Sequence, residues 1–147
     1  MVCEQLKLDN QVCFRLYTVA RLITQGYQPW LSKLGITYTQ YIVLMVLWEK
    51  DHQPVNDIAR RLLLETNTVT PLIKRMEMEK IVVRRKDNQD ARKTIVSLTE
   101  RGKAMQEDAA EIPGCMSRML MESGLTAETF ATLVPALDEI IQCMKKE

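Results

Sequence analysis

The spacing of apolar residues predicts a chain made mainly of amphipathic helices. Apolar residues recur every three or four positions over residues 8–30 and again from Thr37 to about residue 50, which is the period of an α-helix with one buried face. Two shorter helical patterns follow, over residues 56–63 and 66–79, with very few residues between them. Two short helices joined by a tight connection are typical of a helix-turn-helix, whose second helix enters the major groove of DNA.

The pattern changes to that of strands immediately after the helix pair. Residues 81–85 are rich in β-branched side chains, residues 94–98 alternate as a strand does, and residues 86–93 between them are polar and turn-forming. This order predicts a hairpin with a charged tip, a wing beside the helix-turn-helix. The predicted fold class is mainly α with a small β-hairpin wing (α+β), a winged helix-turn-helix at about residues 55–98 of a single domain over residues 1–147.

Polar residues and prolines predict where the remaining helices begin and end. Asp9, Thr99 and Thr126 are plausible N-caps for the first helix, for a helix over residues 100–112 and for a last helix ending near residue 145. Irregularities are expected at Gly26 and Pro29, at a turn over residues 51–54, at a break at Pro113-Gly114, and at Pro135, which should kink the last helix or delay its start.

The terminal helices predict a homodimer. The helices at about residues 8–30 and 100–147 are apolar on one face, and the small winged core cannot bury all of these faces. Pairing with a second copy is the simplest way to cover them. Such a dimer would place two recognition helices about one turn of double-stranded DNA apart, as a palindromic operator requires.

The distribution of charge favours a DNA-binding protein more than the total does. The chain has 147 residues, 46% of them hydrophobic, and a net charge of only +1. Residues 56–93, however, hold ten basic and six acidic residues, a net charge of +4, which leaves −3 for the remainder. A basic middle with acidic ends fits a DNA-reading module, although an ordinary charged surface is the alternative.

Other functional classes find little support in the sequence. The N-terminus has no apolar signal region and the longest apolar stretch, residues 41–48, is too short to span a bilayer. We therefore expect a cytoplasmic protein with no membrane partner and with reduced cysteines. The single histidine, His52, lies in a predicted turn, so no metal site is expected. Because no cofactor motif or activated acid–base pair is present, we expect neither a cofactor nor an enzyme.

The predicted recognition helix and the wing carry side chains suited to DNA. Hydroxyl and amide groups in the first turns can bond base edges, and the cations that follow can approach phosphates or guanines. The candidate contact residues of this helix are Thr66, Asn67, Thr68, Thr70, Lys74 and Arg75. In the wing, Arg92 suits a narrow minor groove and Asp90 can orient it by a charge-assisted bond. From the residues alone, a capped surface helix starting at Thr70 before Pro71 and a solvated turn remain alternatives.

Cys13 is the cysteine whose position favours reactivity. The four cysteines, Cys3, Cys13, Cys115 and Cys143, include no close pair. Cys13 lies near the start of the first predicted helix, where unpaired N–H groups favour a thiolate. A thiolate attacks peroxide to give a sulfenic acid, which a second thiol can convert into a disulfide. The phenols of Tyr27 and Tyr38 can donate hydrogen bonds to this sulfur if the fold brings them together. A buried, inert thiol is the alternative, and chemistry alone favours it.

Several blocks of the chain resemble the MarR family, and more narrowly its organic-hydroperoxide-resistance regulators. The matching blocks are Asn10-x-x-Cys13-Phe14-x-Leu16-Tyr17, Tyr27-x-Pro29, residues 34–41, residues 68–77, Asp90-x-Arg92 and Leu98-Thr99-x-x-Gly102. The wing motif is common to MarR proteins generally. The cysteine block with its two tyrosines is specific to the peroxide-sensing branch, and the resemblance places the start of the recognition helix near Thr66.

The resemblance implies a repressor controlled by oxidation of Cys13. It implies that Tyr27 and Tyr38 bond the sulfur of this peroxidatic cysteine across the dimer and that Tyr17 lines the same pocket. The reduced dimer would bind its operator, and organic hydroperoxide would release it. Cys115 is the candidate resolving thiol, about one helical turn from where the resemblance places that residue, and a low-molecular-weight thiol is the alternative partner. Cys3 is expected to be a bystander and Cys143 a packing or surface residue.

The sequence also departs from the family pattern and leaves rival functions open. Glu65-Thr66-Asn67 stands where Asp-Ser-Gly is common, and Ala91 stands where Glu or Pro is frequent. We expect the first departure to alter operator preference or phosphate contacts. The main rival is a MarR-type repressor released by a small phenolic or aromatic ligand, with Tyr17, Tyr27, Trp30 and Tyr38 lining its pocket. A thiol peroxidase and a non-sensing architectural DNA binder are further alternatives.

Overall fold

Eight α-helices and a small three-stranded sheet follow one another along the chain in the computed structural model, which describes residue 1 and residues 3–145. The helices are α1 (Val12–Gly26), α2 (Gln28–Leu34), α3 (Tyr38–Glu49), α4 (Val55–Leu62), α5 (Thr66–Met78), α6 (Glu100–Ala109), α7 (Ile112–Glu122) and α8 (Ala127–Met144). The strands are β1 (Gln53–Pro54), β2 (Val82–Lys86) and β3 (Thr94–Leu98). The predicted class, mainly α with a β-hairpin wing, is confirmed. Within the described residues, no helix is both long and apolar enough to cross a bilayer.

The wing is the antiparallel hairpin of β2 and β3, and β1 adds a third strand at its edge. Val82 pairs with Leu98 and Lys86 with Thr94, while Gln53 pairs with Val96 on the other side of β3. The sheet order is therefore β1-β3-β2. The sequence prediction of a simple turn over residues 51–54 missed this short strand, because two residues are too few to show an alternating pattern.

The core lies where α3, α4 and α5 meet the base of the wing. Leu44 of α3, Ile58 of α4 and Ile73 of α5 are fully buried, together with Val82 and Val96 of the sheet. This core fixes the helix-turn-helix against the hairpin, so the two DNA-reading elements of the prediction form one rigid unit.

Gly102 allows α6 to lie close to Ile81, the residue just before β2. A Cβ atom at this position would lie 2.3 Å from the carbonyl oxygen of Ile81, which is far inside van der Waals contact. The Gly102 carbonyl accepts a 2.9 Å hydrogen bond from Nε1 of Trp48, and its N–H donates to Oγ1 of the cap residue Thr99. The Leu98-Thr99-x-x-Gly102 block is thus a packing motif that joins α3, the sheet and α6.

Several predicted helix boundaries were wrong. Asp9 does not cap the first helix: residues Leu8–Asn10 form a 3-10 turn and α1 begins at Val12. The irregularity expected at Gly26 and Pro29 is present: α1 ends at Gly26, and Pro29 lies in the first turn of α2. A proline lacks only an N–H that is unpaired at a helix start, so it can open a helix as easily as it breaks one.

A proline that opens a helix also occurs in the C-terminal half of the chain. Pro113 and Gly114 lie in the first turns of α7, which begins at Ile112, so they open a helix that the sequence analysis did not predict. Thr126 does cap α8, accepting from the N–H of Thr129, and the helix begins at Ala127 without delay and continues through Pro135. Thr99 was predicted correctly as the cap of α6.

Candidate DNA interface and cysteine site

The recognition helix α5 presents its polar residues on the side away from the core. It begins at Thr66, as the resemblance predicted. Val69, Leu72, Ile73 and Met76 are buried, and this i, i+3, i+4, i+7 set anchors one face of the helix. The remaining face carries most of the candidate contact residues, exposed to solvent: Thr66, Asn67, Thr68, Lys74 and Arg75. Thr70 is half-buried and its hydroxyl donates to the Thr66 carbonyl at 2.9 Å, so it is partly engaged within the helix.

Arg92 at the wing tip is held by Asp90, as the sequence analysis suggested. Nε and Nη2 of Arg92 donate to the two carboxylate oxygens at 3.1 and 3.2 Å, and the Arg92 backbone N–H donates to Oδ1 at 3.1 Å. These bonds, side chain first and backbone second, hold the pKa of Asp90 below its usual value. The Arg92 side chain is nevertheless 91% exposed. The guanidinium is therefore oriented but still free to meet an anionic groove.

A shallow groove lies between the wing and the first turns of α4 and α5. Its walls are formed by Pro54, Val55, Asn56, Thr66, Thr70, Arg84, Arg92 and Thr94. Three residues of this set, Asn56, Arg84 and Thr94, were missed by the sequence analysis. Oγ1 of Thr66 donates to Oδ1 of Asn56 at 3.1 Å, which leaves the Asn56 amide free to donate outward. In the sequence, the only indication that Asn56 could line this groove is its position at the start of α4, the first helix of the helix-turn-helix.

Cys13 is the second residue of α1 and is exposed to solvent. The residue before the helix, Gln11, provides no side-chain cap, so the first-turn N–H groups remain available to stabilise negative charge. Arg15 covers the same end of the helix, with its guanidinium donating to the carbonyls of Asp9 and Gln11 at 2.6 and 3.0 Å. The Cys13 sulfur is therefore open to solutes in the single chain, and the buried-thiol alternative does not describe it there.

Tyr27 and Tyr38 lie together in an aromatic cluster with Tyr41. The ring centroids of Tyr27 and Tyr38 are 5.1 Å apart, and Tyr41 lies 5.9 and 6.1 Å from them. Burial, and after it the neighbouring Tyr38, raises the pKa of Tyr27, and burial likewise raises that of Tyr41. With their pKa values raised, these two phenols stay protonated at neutral pH and are able to donate hydrogen bonds. Tyr41 was not anticipated, because its place in the cluster depends on how α2 packs on α3.

Within the described residues of one chain, hydrogen bonds do not link Cys13 to the tyrosines of the predicted sensor. Among the hydrogen bonds of residues 1 and 3–145, none joins the Cys13 sulfur to Tyr17, Tyr27 or Tyr38. Tyr17 stands apart from the cluster on α1 with 68% of its surface exposed. The resemblance expects contact across a dimer, and that expectation remains a prediction.

The other cysteines differ in their surroundings. Cys115 is half-buried on α7 and lines a cleft with Trp30, Lys33, Leu34, Asp108, Glu111 and Ile112. Cys3 and Cys143 are exposed. His52 lies beside the sheet, its Nδ1 2.7 Å from Oγ of Ser97. Over the described part of the chain, no three His, Cys, Asp or Glu side chains are grouped as a metal site would need.

The chain matches known transcriptional regulators over most of its length. The family model of the transcriptional regulators SarA/Rot matches residues 25–109, a span that includes the helix-turn-helix and the wing. The organic hydroperoxide resistance transcriptional regulator of Bacillus subtilis is 37% identical over 144 residues, which are 98% of this chain and 96% of that protein.

The solved structures similar to this chain include four of AbfR, a Staphylococcus epidermidis protein. Reduced AbfR bound to DNA is 36% identical with a TM-score of 0.77, covering 97% of this chain and 98% of that one. Overoxidized AbfR bound to DNA is 40% identical with a TM-score of 0.71, covering 95% and 100%. Disulfide-formed AbfR is 39% identical with a TM-score of 0.64, covering 94% and 95%.

Proposed function

The chain belongs to the SarA/Rot family of transcriptional regulators, MarR-like proteins with a winged helix, and we propose that it is a dimeric repressor. Its affinity for a palindromic operator is controlled, in this proposal, by oxidation of Cys13. The observation that carries the proposal is the place of Cys13, exposed in an uncapped first turn of α1. The Bacillus subtilis relative is, by its name, a transcriptional regulator of organic hydroperoxide resistance. Its name supports organic hydroperoxide as the signal for this chain.

The apolar faces of α1 and α8 support the dimer. Neither helix has a buried residue in the single chain, and large apolar side chains on both are open to water, among them Val19, Leu22, Val134 and Ile140. Uncovered apolar faces of this size indicate a protein partner. A second copy covers them most simply, because a two-fold axis gives both chains the same contact.

The sensing step uses the Cys13 thiolate as nucleophile. Its sulfur attacks the terminal oxygen of an organic hydroperoxide, the O–O bond breaks, and the alkoxide takes a proton to leave as an alcohol. The sulfur is oxidised to a sulfenic acid while the peroxide is reduced. In the dimer, Tyr27 and Tyr38 would donate hydrogen bonds to the thiolate, and the raised pKa of Tyr27 keeps its proton in place for this task.

The release step is best assigned to a disulfide. AbfR is described bound to DNA both reduced and overoxidized, and it is also known in a disulfide form. By analogy, addition of oxygen to sulfur need not release DNA, whereas a disulfide ties two segments together. In this chain a second thiol attacks the sulfenic sulfur and water leaves. Cys115 of the second copy is the candidate thiol, and a small cellular thiol is the alternative.

The rival signal, a small phenolic or aromatic ligand, has one observation in its favour. The cleft beside Trp30 and Cys115 has apolar walls together with Lys33, Asp108 and Glu111, which suits a small aromatic ligand with a polar substituent. The rings of Tyr27, Tyr38 and Tyr41, by contrast, pack on one another. A ligand would therefore bind beside the aromatic cluster and would act without Cys13.

The test compares operator release by variants of two exposed cysteines. The probe is a duplex selected from a random-sequence library by the reduced protein, and cumene hydroperoxide is the oxidant. We expect wild type and the matched control Cys3→Ser to lose the duplex in gel shifts as mass spectrometry detects a modified Cys13. Cys13→Ser should keep the duplex. Release of Cys13→Ser at the wild-type dose would contradict the proposal, and release by salicylate alone would favour the rival.

A further inference from the structure

Gln40 is a buried polar residue whose two amide ends serve different elements. Only 3% of the residue is exposed. Its Oε1 accepts from the Thr37 N–H at 3.0 Å, and its own N–H donates to Oγ1 of Thr37 at 3.3 Å, which completes a capping box at the start of α3. Its Nε2 donates to Oε2 of Glu79 at 3.1 Å. The side chain therefore joins the first turn of α3 to a residue 39 positions further along the chain.

Glu79 is the residue at which the recognition helix ends. It is the C-cap of α5, and its backbone N–H bonds to the carbonyl of Arg75 at 3.0 Å. Its own carbonyl accepts from Nη1 of Arg101 at 2.7 Å. Lys80 follows with a φ of +60°, in the left-handed region that residues other than glycine seldom adopt. A shift at Glu79 is thus transmitted to the axis of α5, because the helix end is held by specific bonds.

The other end of this connection is the tyrosine cluster. Tyr38 lies between Thr37 and Gln40, in the same first turn of α3. Its ring contacts Tyr27, with 5.1 Å between the centroids. Any movement of the Tyr38 backbone must move the capping box, and with it the amide that Gln40 presents to Glu79.

We propose that the Gln40–Glu79 hydrogen bond is the positioning contact that transmits the state of the tyrosine cluster to the recognition helix. This inference rests on the proposed function and adds the route from sensor to reader. When the cluster has its reduced arrangement, the bond holds the C-terminal end of α5 in the orientation that binds the operator. When oxidation of Cys13 displaces Tyr38, the first turn of α3 moves, the bond breaks, and the end of α5 loses one of the contacts that fix its orientation.

The test measures redox coupling, defined as the ratio of operator Kd in the oxidised and reduced protein. Glu79→Met removes the side-chain oxygen that accepts the bond from Gln40, and Glu79→Gln keeps such an oxygen. Glu79 is exposed and is not one of the candidate DNA-contact residues. We expect Glu79→Gln to keep the wild-type ratio within about twofold and Glu79→Met to lower it about fivefold, the low end of typical allosteric coupling. Thermal unfolding checks that both variants fold.

A double variant separates transmission from simple stability. Gln40→Met and Glu79→Met should each lower the ratio, and the combined variant should lower it no further, because both remove one bond. If Glu79→Met and Glu79→Gln have equal ratios of oxidised to reduced operator Kd, the proposed role of the Gln40–Glu79 bond (the relay) is wrong. Redox control of operator binding would be unaffected by that result. If oxidation fails to release the wild-type protein at all, the proposed function fails and the relay with it.

Hydrogen exchange gives a readout that does not involve DNA. On oxidation, amides of residues 76–81 should exchange faster in wild type and in Glu79→Gln. In Glu79→Met they should exchange at the faster rate before oxidation. Exchange that is unchanged by oxidation in wild type would overturn the relay even if operator release is seen.

Discussion

Arg84 of β2 is bound to Glu77 of α5 by three hydrogen bonds. The Arg84 backbone N–H donates to Oε2 at 2.8 Å, and Nε and Nη2 donate to Oε1 at 3.2 and 3.1 Å. The pair joins the recognition helix to the wing, the two elements that must enter adjacent grooves. The Arg84–Glu77 pair therefore helps to fix the wing relative to α5. We expect loss of the pair to lower both the operator affinity and the free energy of unfolding.

Glu77→Gln should lower the free energy of unfolding by about 1 kcal/mol at neutral pH, because the partly exposed pair is screened by water. The backbone and side-chain bonds from Arg84 lower the pKa of Glu77 below its ordinary 4.5. Its contribution is therefore complete above about pH 4.5 and is lost as the pH falls through the folded-state pKa. Urea unfolding of wild type and variant at pH 7 and below pH 4 measures the difference. Equal differences at both pH values would contradict the assignment, and Glu107→Gln on α6 is the control.

Removing Asp90 should weaken operator binding without weakening the fold. Without the carboxylate, the exposed Arg92 guanidinium loses its orientation and must be ordered on binding. We expect Asp90→Ala to raise the operator Kd about three- to tenfold, with the melting temperature unchanged because exposed ion pairs add little stability. Arg92→Ala should in addition reduce the salt dependence of log Kd by about one unit of slope. A wild-type slope in Arg92→Ala would show that the wing does not touch DNA.

A charge on the apolar face of α1 should separate the two copies. Val19 is 45% exposed in the single chain, and Val19→Asp would bury a carboxylate in the proposed interface. Light scattering should then give the mass of one chain, and operator affinity should fall about a hundredfold as the benefit of two linked reading heads is lost. Gln25→Asp adds the same charge to the polar side of α1 and should stay dimeric. A dimeric Val19→Asp would place the interface elsewhere.

Two glycine substitutions should have opposite effects. Gly102→Ala would place a Cβ 2.3 Å from the Ile81 carbonyl oxygen, and the resulting strain should cost about 1–3 kcal/mol of stability. At Gly114, in α7, a Cβ meets nothing within 4 Å. Gly114→Ala should therefore be neutral or stabilising by up to about 1 kcal/mol. Denaturant unfolding distinguishes the two, and a neutral Gly102→Ala would mean that α6 moves away at little cost.

Local patterns in the sequence were enough to predict the reading elements. The helical period identified α4 and α5, the strand pattern identified the hairpin, and the cap residues Thr99 and Thr126 were predicted correctly because a cap bonds to a backbone N–H only three residues away. The family resemblance, now confirmed, supplied the start of α5 at Thr66, which Pro71 obscures. Pro113 was expected to break a helix and instead lies in the first turn of α7.

What the sequence could not provide are contacts between distant residues. Gln40 and Glu79 are 39 positions apart, and nothing in either local pattern pairs them. The tyrosine cluster needed the packing of α2 on α3, so Tyr41 was missed. Asn56 and Arg84 line the same groove only because the fold brings the wing beside the first turns of α4 and α5. The expected contact of Cys13 with Tyr27 and Tyr38 across a dimer stays a prediction.

The placement of Cys13 on α1 has a consequence for dosage. The same helix carries both the sulfur that we propose to be the sensor and the apolar face that we propose a second copy covers, so a solitary chain would lack the groups expected to complete the sensor. Assembly then depends on how many copies a cell contains. In a cell that makes few copies of this regulator, the solitary chains would neither repress transcription nor detect oxidant efficiently. The peroxide concentration needed for a response would then depend on the abundance of the protein.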